Sequence, residues 1–222
     1  MQATLLVELL TEELPPKALR RLAEAFAEGV SGGLAKAELP HGELRYYATP
    51  RRLAVLVHDL AVSQPDRGVE RRGPAIAAAF DEEGVPSKAA QGFARSCGIA
   101  VDQLERMDNA QGAWLVYRSM QRGVATRELL ADIVEQSLAA LPTPKRMRWG
   151  NLRDEFVRPV HWLIMLFGGE VIDAELYGVR SSRETRGHRY HHPEKISVSE
   201  PRAYAPLLET EGRVLADCDA RK

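Results

Sequence analysis

Apolar residues near the start of the chain follow two different periods. Residues 3–10 (ATLLVELL) form an unbroken Leu/Val run of strand length. Leu14-Pro15-Pro16 then opens a helix, because proline is tolerated in a first turn whose N–H groups have no helical partner. Ala18, Leu22, Ala25, Phe26 and Val30 recur at helical spacing, and Gly29, Gly32 and Gly33 are expected to weaken the end of that helix. Strand-like runs follow at 44–49 and 53–60. In the second, Leu53, Val55 and Val57 share one face and Ala54 and Leu56 the other, so both faces are expected to be covered. The start therefore reads β-α-β-β, and the expected fold class is α/β of mixed α+β type, continuing into helices and a hairpin.

From 63 to 84 the sequence is polar and rich in Gly and Pro. It reads as a connection with little regular structure, and as a candidate boundary between two lobes of a module covering 1–195. Ser87 is placed to cap a helix over 88–97 that Gly98 closes. A short helix at 101–107 and a strand at 114–120 follow. Thr126 reads as the cap of a helix with Leu130, Ile133, Val134, Leu138 and Leu141 on its apolar stripe, stopped by Pro142. Beyond Pro142-Thr143-Pro144, residues 160–167 and 171–179 read as a hairpin around Gly168-Gly169. Residues 180–193 read as a loop loaded with Arg and His, and 201–209 as a helix. Residues 196–222 read as the start of a further segment, in which Asp217 caps a helix left incomplete. On that reading the chain is a fragment of a longer protein.

With 222 residues and 45% hydrophobic content, the chain has material for a proper globular core. The longest apolar run, 160–167, is interrupted by His161 and falls far short of the ~20 residues that span a bilayer, so no membrane role is expected. Glu8, Glu12 and Glu13 in the opening stretch argue against a signal peptide. The only cysteines, Cys97 and Cys218, have no disulfide or metal spacing, which fits a reduced, cytoplasmic setting. Net charge is −1, so the chain is no bulk polyanion binder. Positive charge is nevertheless concentrated: residues 145–189 carry nine Lys/Arg and six Asp/Glu.

Three groups of residues offer chemistry. Lys145, Arg146, Arg148 and Trp149 place three cations and an aromatic within five residues, suited to phosphates and to stacking a base or ribose. They also read as a solvated loop with Trp149 as a core anchor. Arg186, His188 and Arg189 surround Gly187, which would let the backbone approach a phosphate or terminal adenosine closely; the alternative is an exposed hairpin loop. Pro50-Arg51-Arg52 forms a turn that presents two cations on a rigid element, or merely solvates a strand end. Glu12 and Glu13 read as helix-dipole partners more than as acid/base catalysts. His161 reads as a core histidine, and His188, His191 and His192 lack zinc-site spacing. No nucleophile motif, Walker loop or dinucleotide fingerprint is present in the sequence.

Six local motifs carry the reading further: TEELPPKALR at 11–20, ATPRRLAV at 48–55, RRGPAIAAAFDEEGVPSKAAQGFARSCGI at 71–99, LPTPKRMRWG at 141–150, FVRPVHW at 156–162 and TRGHRY at 185–190. In this order and spacing they resemble the β-subunit family of bacterial two-subunit glycyl-tRNA synthetases, over essentially the whole chain. That resemblance implies a tRNA-binding and assembly module supporting ATP-dependent attachment of glycine to tRNA(Gly). It implies no catalytic residue and no cofactor here, since ATP and magnesium are used by a catalytic α subunit in a heterotetramer of two α and two β. It also implies a fold similar to the B3/B4-like module of the phenylalanyl-tRNA synthetase β subunit. The resemblance favours Lys145, Arg146, Arg148, Trp149, Arg186, His188 and Arg189 as tRNA contacts, joined by Arg51, Arg52 and Arg158. Two other roles remain open: a hydrolytic editing domain for mischarged tRNA, and a structural scaffold that docks the α subunit.

Overall fold

The computed structural model describes residues 1–109, 112–143, 145–151 and 153–221. Pro144, in the expected lead-in to the basic loop, lies outside them. In chain order the elements are β1 (Gln2–Thr11), α1 (Leu19–Lys36), β2 (Leu44–Thr49), β3 (Arg52–Ala61), β4 (Arg67–Ala75), the single turn α2 (Ile76–Ala79), α3 (Lys88–Cys97), β5 (Glu105–Asn109), β6 (Gly112–Gln121) and α4 (Thr126–Ala139). There follow β7 (Val160–Phe167), β8 (Glu170–Val171), β9 (Glu175–Leu176), β10 (Val179–Ser182), β11 (Glu184–Arg186), β12 (Lys195–Ser197) and α5 (Tyr204–Thr210). The mixed α/β class read from the sequence is the one observed. The chain divides into two compact units, Met1–Gln64 with Val124–Lys222, and Pro65–Gly123.

The first unit is built on a sheet of order β2-β3-β1-β7-β10-β9, with β8 also on β7. All pairs are antiparallel except β7–β10. Alternation along the central strands sorts side chains onto two faces. Leu5, Val7, Leu9, Leu53, Val55, Val57, Leu163 and Met165 pack against α1 and α4. Leu6, Ala54, Leu56, Ile164 and Leu166 pack against Val198, Tyr204, Leu208 and Ala216 from the C-terminal segment. Both faces of β3 are therefore covered, as its double-sided apolar pattern implied. Among the described residues no helix is long and apolar enough to cross a membrane.

Several local expectations are corrected. The glycines do not end α1, which runs unbroken to Lys36. A Cβ on Gly29 would sit 3.0 Å from Ser137 Cβ, and one on Gly33 2.7 Å from Ile133 Cγ2, so these glycines let α1 lie close against α4. Ala125, not Thr126, is the N-cap of α4. Thr126 instead donates from Oγ1 to the Ala61 carbonyl at 2.6 Å and ties the helix to the end of β3. The expected hairpin after β7 is cut short, because β8 pairs with only Leu166 and Phe167. The same edge of β7 then receives β10 in parallel at Leu163 and Ile164. The expected 180–193 loop thus contains strand residues, and β11 pairs with β12. Asp217 does not start a helix; its Oδ1 accepts from the backbone N–H of Asp219 and Ala220 in a turn.

The second unit is a three-stranded antiparallel sheet, β4-β6-β5. Residues 67–75, expected to be irregular, form β4. Their polar composition is that of a largely exposed strand paired to β6 through its backbone. The expected 101–107 helix is only a 3-10 turn over Val101–Gln103, followed by β5. Ser87 Oγ accepts from the Ala90 N–H and Gly98 closes α3 at φ 72°, both as read from the sequence. Ala79, Ala90 and Leu115 form the unit's small core.

Candidate functional site

At one end of the first unit's sheet, strand pairing aligns Thr49, Arg52, Leu10 and Trp162 across β2, β3, β1 and β7. Three sequence motifs are stitched together at this end. The Thr11 N–H donates to the Arg51 carbonyl, the Leu14 N–H to the Pro50 carbonyl and the Glu12 N–H to the Pro159 carbonyl, at 2.8, 2.6 and 2.9 Å. The loop after β11 completes the walls of a cleft of about 840 Å³, within the size range of small-ligand sites. Six arginines line it (Arg51, Arg52, Arg186, Arg189, Arg213 and Arg221) against two glutamates, Glu12 and Glu13. Trp162, Tyr190, Pro193, Val214 and Leu215 supply apolar wall.

Beneath the cleft lies a closed polar network. Glu8 is fully buried in the middle of β1, yet both of its carboxylate oxygens are hydrogen-bonded. Oε2 accepts from Arg52 Nε at 2.7 Å and from the Tyr204 hydroxyl, and Oε1 accepts from Thr185 Oγ1 at 2.5 Å. Arg52 Nη2 donates onward to Thr185 Oγ1 at 3.2 Å and to the Arg186 carbonyl at 2.5 Å. Burial works against the Arg52 charge, but Glu8 and then Tyr204 outweigh it and hold the guanidinium above its ordinary pKa. Burial, reinforced by Glu8, pushes the Tyr204 hydroxyl well above 10. Arg52 thus faces inward with Nε and Nη2 committed, and its structural task is to anchor β11.

The loop after β11 is fixed by contacts of its own. The His188 N–H donates to the Gly212 carbonyl at 2.6 Å. A Cβ on Gly187 would lie 2.6 Å from that same carbonyl oxygen, so the backbone that Gly187 admits is that of Gly212. His188 Nδ1 accepts from the N–H groups of Tyr190 and His191, both at 3.3 Å, which places the ring proton of neutral His188 on Nε2. Arg186 lies over the Trp162 ring, 4.4 Å from its centroid, and its buried Nε has no hydrogen-bond partner among the described residues. Arg189 makes no ion pair among the described residues and sits 5.7 Å from the Tyr190 ring centroid. Tyr190 itself is 79% exposed.

Of the two acids at the rim, Glu12 has its carboxylate engaged. Glu12 Oε2 lies 3.4 Å from Arg51 Nη2, and Oε1 accepts from His161 Nε2 at 2.9 Å. That hydrogen bond holds the Glu12 carboxyl below its ordinary 4.5; burial opposes it, and the charges of Arg51 and Arg189 assist. His161 is thus an exposed partner of Glu12, not the core histidine expected.

Of the ten sequence-selected residues, Arg51, Arg52, Arg186, His188 and Arg189 line this cleft. The others lie elsewhere. Arg148 pairs with Glu155 at 2.7 Å, and Arg146 donates to the Ala139 carbonyl beside Glu135, Asp154 and Glu155. Lys145 is exposed. Trp149 packs on the opposite, helix-covered side of the sheet with its ring 6.3 Å from Tyr177, the core-anchor alternative for that residue. Arg158 donates to the Glu13 carbonyl at 2.9 Å. Sequence reading did not select Trp162, Tyr190, Arg213 or Arg221. One aromatic in an apolar strand and single cations or rings in loops carry no signal by themselves.

Residues 5–222 match the family model described as the glycyl-tRNA synthetase beta subunit. Among curated proteins, the chain is similar to the glycine–tRNA ligase beta subunit of Hahella chejuensis, 58% identical over 217 residues, covering 98% of this chain and 31% of that protein. It is 54% identical over 217 residues to the counterpart from Marinobacter nauticus, again 98% of this chain and 31% of the relative. The counterpart from Photorhabdus laumondii is 51% identical over 221 residues, 100% of this chain and 32% of the relative. These matches place the chain among components of aminoacyl-tRNA synthetases. It belongs to the glycyl-tRNA synthetase beta subunit family. The chain spans about a third of the length of these relatives.

Proposed function

We propose that this chain is a tRNA-binding and assembly module of a glycine–tRNA ligase. It supports ATP-dependent glycylation of tRNA(Gly) while a catalytic α subunit handles glycine, ATP and magnesium, in a cytoplasmic heterotetramer of two α and two β subunits. The observation that carries the reading is the cleft with six arginines on its walls and an exposed tyrosine at its mouth. Guanidinium groups match phosphate geometry, and their charge attracts a polyanion irrespective of sequence. Arg51, Arg186, His188 and Arg189 are the direct contacts in this reading, and Arg52 holds them in place. Lys145, Arg146, Arg148, Trp149 and Arg158 lie outside the cleft and are assigned a lesser, peripheral part.

The test is tRNA(Gly) binding across a salt series. Replacing Arg186 and Arg189 together by Ala should weaken binding and flatten the plot of log affinity against log salt, by roughly 0.7–0.9 for each phosphate that is no longer neutralised. Arg148→Ala, which removes a cation already paired with Glu155, should leave that slope nearly unchanged. An unaltered slope in the double variant would remove the cleft from the tRNA interface.

A further inference from the structure

We infer that the cleft receives one unpaired nucleotide of the RNA, its base stacked in the apolar interior and its phosphates held by the rim; this rests on the reading above that RNA is the ligand. The argument begins with shape. A surface that only grips a duplex needs cations spread along a convex or grooved face, because a paired helix offers phosphates and 2′-hydroxyls and keeps its bases stacked inside. Here the cations instead surround a concavity whose walls include Trp162, Tyr190, Val214 and Leu215. Apolar wall has no counterpart on a duplex backbone, whereas a splayed base presents two flat faces that aromatic rings and guanidinium planes both stack on.

The aromatic groups are arranged for this. The Trp162 face is taken by the Arg186 guanidinium at 4.4 Å, so the stack presents a cationic plane to the cavity. Tyr190 is 79% exposed on the same cleft, so its ring is free to stack on a ligand. Arg186 Nε is shielded from solvent yet lacks a hydrogen-bond partner among the described residues. Buried donors are normally satisfied, so this one is suited to an acceptor delivered into the cleft. Arg189 and Arg51 stand at the rim, where the phosphates flanking an inserted base would run.

The probes are a labelled single-stranded hexaribonucleotide, the blunt-ended RNA duplex of the same sequence and tRNA(Gly), each titrated by fluorescence anisotropy against the full-length protein. The hexamer is expected to bind more tightly than the duplex. Tyr190→Ala should weaken the hexamer by about tenfold, the loss of one stacked base, and leave the duplex unchanged. Tyr190→Phe should retain hexamer binding, since the ring is kept. The high exposure of Tyr190 makes either variant safe for folding. Equal binding of duplex and hexamer, indifferent to Tyr190→Ala, would overturn the unpaired-nucleotide inference while leaving the RNA reading intact. Failure of all three RNAs to bind would overturn both.

Discussion

Arg52 and Glu8 meet at 2.7 Å within the sheet, with side chains 2% and 0% exposed, and the same guanidinium holds the carbonyl oxygen of Arg186. An ion pair withdrawn from water is sustained only when its remaining hydrogen-bond capacity is filled, and Thr185 and Tyr204 fill it. Arg52→Ala should therefore strand a buried carboxylate and lower unfolding stability by about 3–5 kcal/mol. Arg51→Ala, one position away in a partly exposed pair with Glu12, should cost no more than about 1 kcal/mol. Denaturant unfolding of both variants checks this. Similar losses for the two would show that the network is not the anchor of the β11 loop.

Two neighbouring glycines of α1 should respond to alanine with opposite signs. At Gly32 an added methyl would meet nothing within 4 Å, so Gly32→Ala should stabilise by the helix-propensity difference, roughly 0.5–1 kcal/mol. At Gly33 the methyl would meet Ile133 Cγ2 at 2.7 Å, on a stiff branched side chain in α4. Gly33→Ala should therefore destabilise, by about 1–3 kcal/mol, as overpacked cores do. Thermal or denaturant unfolding reads both; a gain at Gly33 would mean that α1 and α4 can separate at little cost.

Local pattern suffices where burial or capping acts within a few residues. β1, α1, β2 and β3 are legible because burial writes an apolar run or stripe into each of them, and Ser87 and Gly98 because caps are short-range. β4 is not, because RGVERRGPA is exposed along much of its length and so carries no alternation; its pairing with β6 is a property of the backbone. The glycines of α1 mislead because their reason lies on α4, about a hundred residues on. The cleft is half legible for the same cause. Arg51, Arg186 and Arg189 stand out as clustered cations, but the row joining Arg52 and Leu10 to Trp162 exists only through pairing of strands distant in the chain.

At the rim, Glu12 should titrate below its ordinary 4.5, chiefly through the His161 hydrogen bond. Because the folded value is depressed relative to the unfolded one, the linked contribution to stability is fully present above pH 4.5. It is lost as pH falls through the folded value. His161→Ala should move the Glu12 carboxyl back toward 4.5 and shrink the acid-side loss of stability. A side-chain carboxyl NMR titration measures the shift directly. An unchanged Glu12 value in the variant would assign the depression to Arg51 and Arg189 instead.

Gly187→Ala tests the loop without touching a charge. The added methyl would lie 2.6 Å from the Gly212 carbonyl oxygen and 2.7 Å from Gly212 Cα, both backbone atoms with no rotamer to yield. The two segments must part, and the 2.6 Å bond from the His188 N–H to that carbonyl must lengthen or break. The His188 amide should then exchange with solvent faster, while amides in β1 and β3, whose burial is independent of this contact, keep their protection. The hexaribonucleotide should bind more weakly although every arginine remains, because cations grip a polyanion only when their backbone holds them in register. Faster exchange at His188 with unaltered RNA binding would show that the cleft tolerates a loose loop, and that position along the chain matters less here than charge.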